Sequence, residues 1–570
     1  MTHCLPPRNP FITQRLWEVH KDPAALESVL ELLGRQRGAC DEVWFSSEYG
    51  FPPLGVHRNC AEKMGVAAGR VRRLGIGASL QISNTLGHGE YLAHLDFSGI
   101  QWQRMVGADG VEAPVCNCPR DPAFLEYLAE STKAYCAWQP DSVWIDDDLR
   151  ISNHGRVAHG CFCHGCLAAF EKFFDTPTRR HADASEKRQA LIQALNDNAS
   201  IETRRAWLDF NRAALANVAA TIARAAISVA PNCRLGLQHA DPRWGFNGPD
   251  FAPVFEALAA ATGRPVGSRP GGGFYDDHAP RGAYHKALFA ALQKSRLPAC
   301  VDDVREEVEN FPGTFHGKSA NGTAVEATFA LAHGCDALTF TPLMFLQEEL
   351  SWQEKVLATL AEWRPFWERY LVASEGTRPV GAEIAFGKSS VFRELQSGER
   401  DFAWAYTHLD DVAKLAPLGV PLAWECGGDA PVLLHSYASD GLTDVEIRAL
   451  FSRNVLTDGD TLLRLQERGL ADGLPVFAEA LAVKARHERF TEDALNGGNA
   501  GKTMGVISLG GARQVGVWPG RARPPGAPQG HAVANGTRMT RMERIDTDKI
   551  RANPFNPCHP CSPCHSVPQA

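Results

Sequence analysis

The sequence contains no uninterrupted apolar run of about 18 residues, so no membrane span is predicted from it. Its opening stretch, MTHCLPPRNPFITQRLWEV, lacks a basic segment followed by an apolar one, so no secretory signal is predicted from it. Excess positive charge is lacking too. A formal net charge of -8 gives no general support for binding nucleic acid or an anionic membrane surface. No Gly-rich phosphate loop follows the first strand candidate, and PGGGF (270–274) lacks the dinucleotide-binding spacing. Sixteen cysteines in 570 residues are too sparse for a small disulfide scaffold. Without a secretory signal, a reducing cytoplasmic location is expected, where clustered cysteines hold metal more readily than they form disulfides.

What is present is an alternation of short apolar runs with longer amphipathic ones, the signature of βα units on a parallel sheet. Strands are predicted at 13–19, 42–48, 76–83, 142–147, 234–240, 265–270, 304–308 and 337–343. Between them, segments such as PAALESVLELLGRQR and PAFLEYLAESTKAYCAW repeat apolar residues at i, i+3 and i+4. Eight strand–helix pairs predict a (β/α)8 TIM barrel over residues 1–375, with a doubly wound open sheet as the alternative. Residues 376–485 read as a smaller α/β domain. Residues 486–570 are Pro-, Arg- and Cys-rich with little periodicity and are expected to be poorly structured. CHPCSPCH at 558–565 looks metal-like but has no patterned sequence around it to support a site.

GCFCHGCLAAF sets Cys161, Cys163 and Cys166 within six residues, close enough for three sulfurs to meet one ion. Tetrahedral zinc wants a fourth ligand, for which Cys116 and Cys118 in VCNCPRDP are the upstream candidates; His159 and His164 are further alternatives. A closed four-sulfur site would be structural, because no coordination position stays open for chemistry.

SVWIDDDLRI (142–151) runs a strand into three aspartates. Alternation puts Trp144, Asp146 and Asp148 on the barrel side of strand four, and Arg305, Glu307 and Glu309 on that of strand seven. Carboxylates from two such strands, aimed at one mouth, are what glycoside hydrolysis requires. Glu48, Gln81, His239, Arg269 and Lys318 are placed to reach the same mouth and bind substrate with Asp146 and Asp147. Trp102, Trp244, Tyr275, Phe311 and Trp352 are candidate sugar platforms. Arg305 would be the charge partner of the carboxylates. Two other readings fit the same residues: a barrel that binds carbohydrate or assembles without catalysis, and a hydrolase using the aspartate triplet to hold a divalent metal.

Together these features resemble glycoside hydrolase family 42, the β-galactosidases of the (β/α)8 clan. The resemblance spans about residues 40 to 480. Family members end strand four in Asp-Asn-Glu, follow it with C-x-C-x-x-C, and take a fourth zinc cysteine from an upstream Cys-Pro segment. CPRDP matches that segment, so the resemblance implies structural Zn²⁺ on Cys118, Cys161, Cys163 and Cys166. It implies Glu307 as nucleophile, with Glu309 as the second match. Asp148 stands where the family has its acid/base glutamate, and Asp147 where it has asparagine. It further implies that 376–485 is a glutamine-amidotransferase-like trimerisation domain, and that the substrate is a small oligosaccharide or β-glycoside. An aspartate in place of the acid/base glutamate is one methylene short, which would shift a proton donor by about 1.5 Å.

Overall fold

A computed structural model describes residues 11–88, 99–151, 157–174, 183–240, 245–271, 276–278, 281–309, 317–343, 349–393, 401–405 and 421–470, with short strands beyond. Eight strands lie where the alternation predicts them: β1 (Ile12–Leu16), β2 (Glu42–Ser46), β3 (Gly77–Ile82), β4 (Ser142–Ile145), β5 (Arg234–His239), β6 (Val266–Pro270), β7 (Val301–Val308) and β8 (Ala337–Phe340). They pair in parallel, each with the next, and β8 closes on β1 with Ile12 opposite Leu338. The result is a closed eight-stranded barrel.

The helices that follow the strands are α1 (Pro23–Arg35), α2 (Leu54–Arg73), α3 (Pro122–Cys136), α4 (Ile201–Val229), α5 (Ala252–Thr262), α6 (Arg281–Ser295), α7 (Ala320–Ala332) and α8 (Leu350–Ala373). Two begin on the same device. In DPAALE and DPAFLE, Asp22 and Asp121 accept from the second and third backbone amides of the helix, while proline occupies its first turn. One feature departs from the sequence expectation. α4 is long and apolar enough to cross a membrane. Here it is a barrel helix: Trp207, Leu215, Val218 and Ile222 are buried in the main core.

Inside the barrel, odd residues of β1 and β7 and even residues of β2, β4 and β5 point to the axis. Trp44 and Trp144 stack there with ring centroids 4.5 Å apart. Gly236 on β5 and Gly267 on β6 face Trp144, and a Cβ at either would strike its ring. Below the tryptophans, Glu42 accepts from Thr13 (3.1 Å), Ser79 (2.5 Å) and Ser142 (3.0 Å) and pairs with Arg305 at 2.5 Å. Polar side chains also fill the barrel above the tryptophans, at the C-terminal ends of the strands.

Two insertions extend the rim. A hairpin (Arg104–Val106 with Glu112–Asn117) follows β3, and two helices (His164–Phe173 and Ala184–Asn196) precede α4. Beyond α8 lies a six-stranded sheet. Its order is Leu422–Ala423, Ala382–Ile384, Val432–Leu434, Val455–Asp458, Val515–Trp518, Phe477–Glu479, with the first four parallel. Its apolar residues Ala382, Ile384, Leu422 and Leu433 pack with Leu288, Phe289 and Leu292 of α6. Val515–Trp518 falls in the segment read as poorly structured, yet it pairs antiparallel with Val455–Asp458. A separate small unit contains the antiparallel pair Glu488–Arg489 and Thr503–Met504. The cysteines of 558–565 lie outside the described residues.

Candidate active site

At the C-terminal mouth, side chains from five strands converge. Arg15 (β1) donates through Nη1 to Glu307 at 2.9 Å and Glu309 at 2.7 Å, and through Nε to Gln81 at 2.9 Å. Arg269 (β6) also pairs with Glu307. Asp146, at the end of β4, lies 4.0 Å from both guanidiniums and accepts from Gln81 Nε2 at 3.1 Å. Asp146 and Glu307, from strands separated by β5 and β6, therefore share two arginines. His88, after β3, places Nε2 2.8 Å from Asp146 Oδ2.

The electrostatics follow from burial. Burial opposes charge on His88, but the hydrogen bond to Asp146 and the charges of Asp146, Asp148 and Asp147 outweigh it and lift the imidazole to about 9. Burial, then the neighbouring Glu307 charge, pushes Glu309 up to about 8. Three further inward polar groups have no hydrogen-bond partner among the described residues: Ser46 Oγ, Thr339 Oγ1 and both amide atoms of Gln238. Buried polar atoms are rarely left unmatched, so a polar ligand or water fits this layer.

Behind β7, Lys286 pairs with Glu326 at 2.9 Å and Glu306 at 3.7 Å, and donates to the backbone oxygen of Glu307. Lys318 pairs with Glu326 and donates to the Glu309 carbonyl at 2.6 Å. These lysines fix the main chain that carries the two glutamates.

Gln81, Asp146, Arg269, Glu307 and Glu309 thus meet at one mouth, with Asp147 at its edge, where Arg150 stands 3.2 Å away. Several other expectations need correction. Asp148 is fully buried and its oxygens are taken by Thr85 N (2.6 Å), Thr85 Oγ1 (2.6 Å) and Gly87 N (2.9 Å). It ties down the loop after β3, because β4 ends at Ile145 and the chain turns, with Leu149 N donating to Asp146 O. Strand alternation no longer applies past that point. His239 points the other way from Gln238, outside the barrel, where Ser268 lies 2.9 Å away and Phe251 and Phe255 pack on it. Burial, reinforced by the Arg269 charge, lowers it to about 3.

Glu48, two residues past β2, is carried off to Lys21 at 2.8 Å. Arg305 pairs with Glu42 and with Asp303 (2.8 Å) below the tryptophans, and Lys318 lies behind the strand. Trp102 donates to Asn117 Oδ1 and packs on Phe124 and Tyr127. Trp352 is exposed in the first turn of α8. Trp244, Tyr275 and Phe311 lie outside the described residues.

Two residues of the site, Arg15 and His88, are not among the sequence candidates. Arg15 had a readable signal, since it shares the inward parity of Thr13. His88 had none, because it sits in a loop. His88, Asp146 and Asp147 also offer ligand atoms within 4.8 Å of one another. Two guanidiniums beside Asp146 favour a hydrogen-bonded charge network there over a divalent cation.

The cysteines form a second cluster. Cys118 follows the hairpin, Cys163 caps the helix His164–Phe173, Cys161 precedes it and Cys166 lies in its first turn. All four are buried, with ligand atoms within 4.8 Å of one another. Cys118 Sγ lies 3.8 Å from Cys163 and 3.5 Å from Cys166. Four sulfurs around one zinc at 2.3 Å stand about 3.8 Å apart, so the donor set fits. Cys116 instead points at the Gly87 carbonyl, His164 is exposed, and His159 stacks on Phe402.

No protein-family model and no curated protein sequence matches the chain. Solved structures do. A β-galactosidase from the psychrophilic Marinomonas ef1 aligns with a TM-score of 0.50 at 12% identity, covering 84% of this chain and 82% of that one. The GH42 β-galactosidase Gan42B of G. stearothermophilus aligns with a TM-score of 0.50 at 12% identity, covering 78% and 70%. A β-galactosidase from the haloarchaeon Halorubrum lacusprofundi reaches 0.48 at 15% identity, covering 89% and 87%. The chain has the (β/α)8 barrel fold that Gan42B and the Marinomonas enzyme have.

Proposed function

We propose that this chain is a glycoside hydrolase acting on a small oligosaccharide or β-glycoside. The observation that carries the reading is the Asp146–Glu307 pair: two carboxylates from separate strands facing one mouth over a shared floor of Arg15 and Arg269. Glu307 attacks the anomeric carbon or activates water, oriented by the two guanidiniums. The strand-four carboxylate opposite it is Asp146, which replaces Asp148 in that role because Asp148 is spent on the β3 loop. Gln81 and Gln238 supply hydrogen bonds to sugar hydroxyls. The unmatched polar atoms of the barrel's upper layer and the fold held in common with β-galactosidases support a carbohydrate substrate.

Cys118, Cys161, Cys163 and Cys166 would hold a structural zinc that staples the hairpin to the helix His164–Phe173 and contributes nothing to the reaction. A cytoplasmic location and assembly into a homo-oligomer, such as a trimer, through the second α/β region complete the reading.

A panel of aryl glycosides, assayed with wild type and Glu307→Gln, tests it. Turnover that the substitution abolishes is expected. Sugar binding without turnover in either protein would instead favour a non-catalytic carbohydrate-binding barrel.

A further inference from the structure

Glycoside cleavage needs a proton for the departing oxygen, and the strand-four residue standing where family 42 has its acid/base glutamate is buried and committed elsewhere. The strand-four carboxylate that does face Glu307 is Asp146, with two guanidiniums 4.0 Å from it. Its closest partner is His88, at 2.8 Å. Among the described residues, the titratable and polar groups that face this pair include Arg15 from β1, Tyr49 after β2, Gln81 from β3, Asp147 and Asp148 after β4, Arg269 from β6, Glu307 from β7 and Glu309 after it.

We infer that His88 and Asp146 act as one unit that stores the leaving-group proton and delivers it. This rests on the glycosidase reading above. At rest the proton is on His88 Nε2, hydrogen-bonded to Asp146 Oδ2. It shifts along that bond, leaving a neutral imidazole and a neutral carboxylic acid. Asp146 then gives it to the glycosidic oxygen as the bond to the anomeric carbon breaks, and the electron pair leaves with that oxygen. The water that completes hydrolysis loses a proton to Asp146, from which it returns to His88, so protons balance over the cycle. The hydrogen bond to Asp146 and the surrounding carboxylates outweigh burial and keep His88 charged at neutral pH, so the store is filled before substrate binds. The barrel thereby replaces a single glutamate by an aspartate and a histidine from neighbouring strand ends, the imidazole supplying the proton and the aspartate delivering it.

The test compares His88→Gln with wild type on two aryl glycosides of one sugar. A dinitrophenyl leaving group needs little protonation, and a methoxyphenyl one needs it fully. A proton store predicts a loss of about 10²-fold or more on the methoxyphenyl substrate and less than about 10-fold on the dinitrophenyl one. It also predicts that the His88 ring resonance, followed by NMR in isotope-labelled protein, titrates well above the ordinary imidazole range and falls on Asp146→Asn. Equal losses on both substrates, no loss on either, or an ordinary titration overturns the inference while leaving the glycosidase reading intact, provided Glu307→Gln abolishes turnover. No turnover of any glycoside by wild type removes both.

Discussion

Arg15 reaches from the first barrel strand to Glu307 on the seventh, with Nη1 2.9 Å from Oε1. The same nitrogen donates to Glu309 and the same guanidinium flanks Asp146, so one side chain organises the carboxylates of two strands. Arg15→Met is therefore expected to leave Glu307 and Glu309 crowded without one of their cations. Removing one member of a buried ion pair costs about 3–5 kcal/mol. Denaturant unfolding should show that loss, together with activity falling further than the folded fraction does. A neutral effect on both would remove Arg15 from the site.

Asp148→Asn separates a loop anchor from a proton donor. An amide oxygen on the Thr85 and Gly87 amides leaves the NH2 to reverse the Thr85 hydroxyl bond and gives up the carboxylate's charge-assisted bonds, so stability should drop by about 1–3 kcal/mol. The dependence of rate on leaving group should stay as in wild type. A selective loss on poor leaving groups would restore Asp148 to the acid role.

The barrel strands and the meeting of Gln81, Arg269 and Glu307 were legible because alternation holds inside a strand, and Glu309, one residue past β7, keeps its parity. Asp148 misled because β4 stops at Ile145, after which a turn redirects the side chains. His239 misled for the opposite reason: it lies within β5, where the inward parity belongs to Gly236 and Gln238, a fact that only the Trp144 contact with Gly236 reveals. Arg305 points inward as alternation requires, yet alternation gives direction and not depth, and it pairs one layer too low. His88 comes to Asp146 through a loop that no periodicity describes.

Stability should carry the signature of His88. Its pKa is raised from about 6.5 when unfolded to about 9 in the fold. The stabilisation is complete below the unfolded value and is lost as pH rises through the folded one. The stability gap between wild type and His88→Gln should thus be about 3 kcal/mol near pH 6 and close towards pH 10. Urea titrations at those two pH values measure it. A gap that is flat with pH would contradict a charged His88.

Metal analysis of the purified protein should find about one zinc per chain. Cys163→Ala should abolish it and lower the melting temperature, since the hairpin at Arg104–Asn117 and the helix at His164–Phe173 would lose their junction. The remaining folded protein should still cleave aryl glycosides, because all four ligands of the metal are protein sulfurs. A metal-free protein of unchanged stability would refute the assignment.

Asp146 and Glu307 are expected to address one sugar, and a crystal structure with a hydroxylated piperidine inhibitor is the decisive measurement. The ring should lie above Arg15 and Arg269, its anomeric position facing Glu307 and its leaving-group side facing Asp146. A ring bound away from these two carboxylates, in protein that still turns over glycosides, would contradict it.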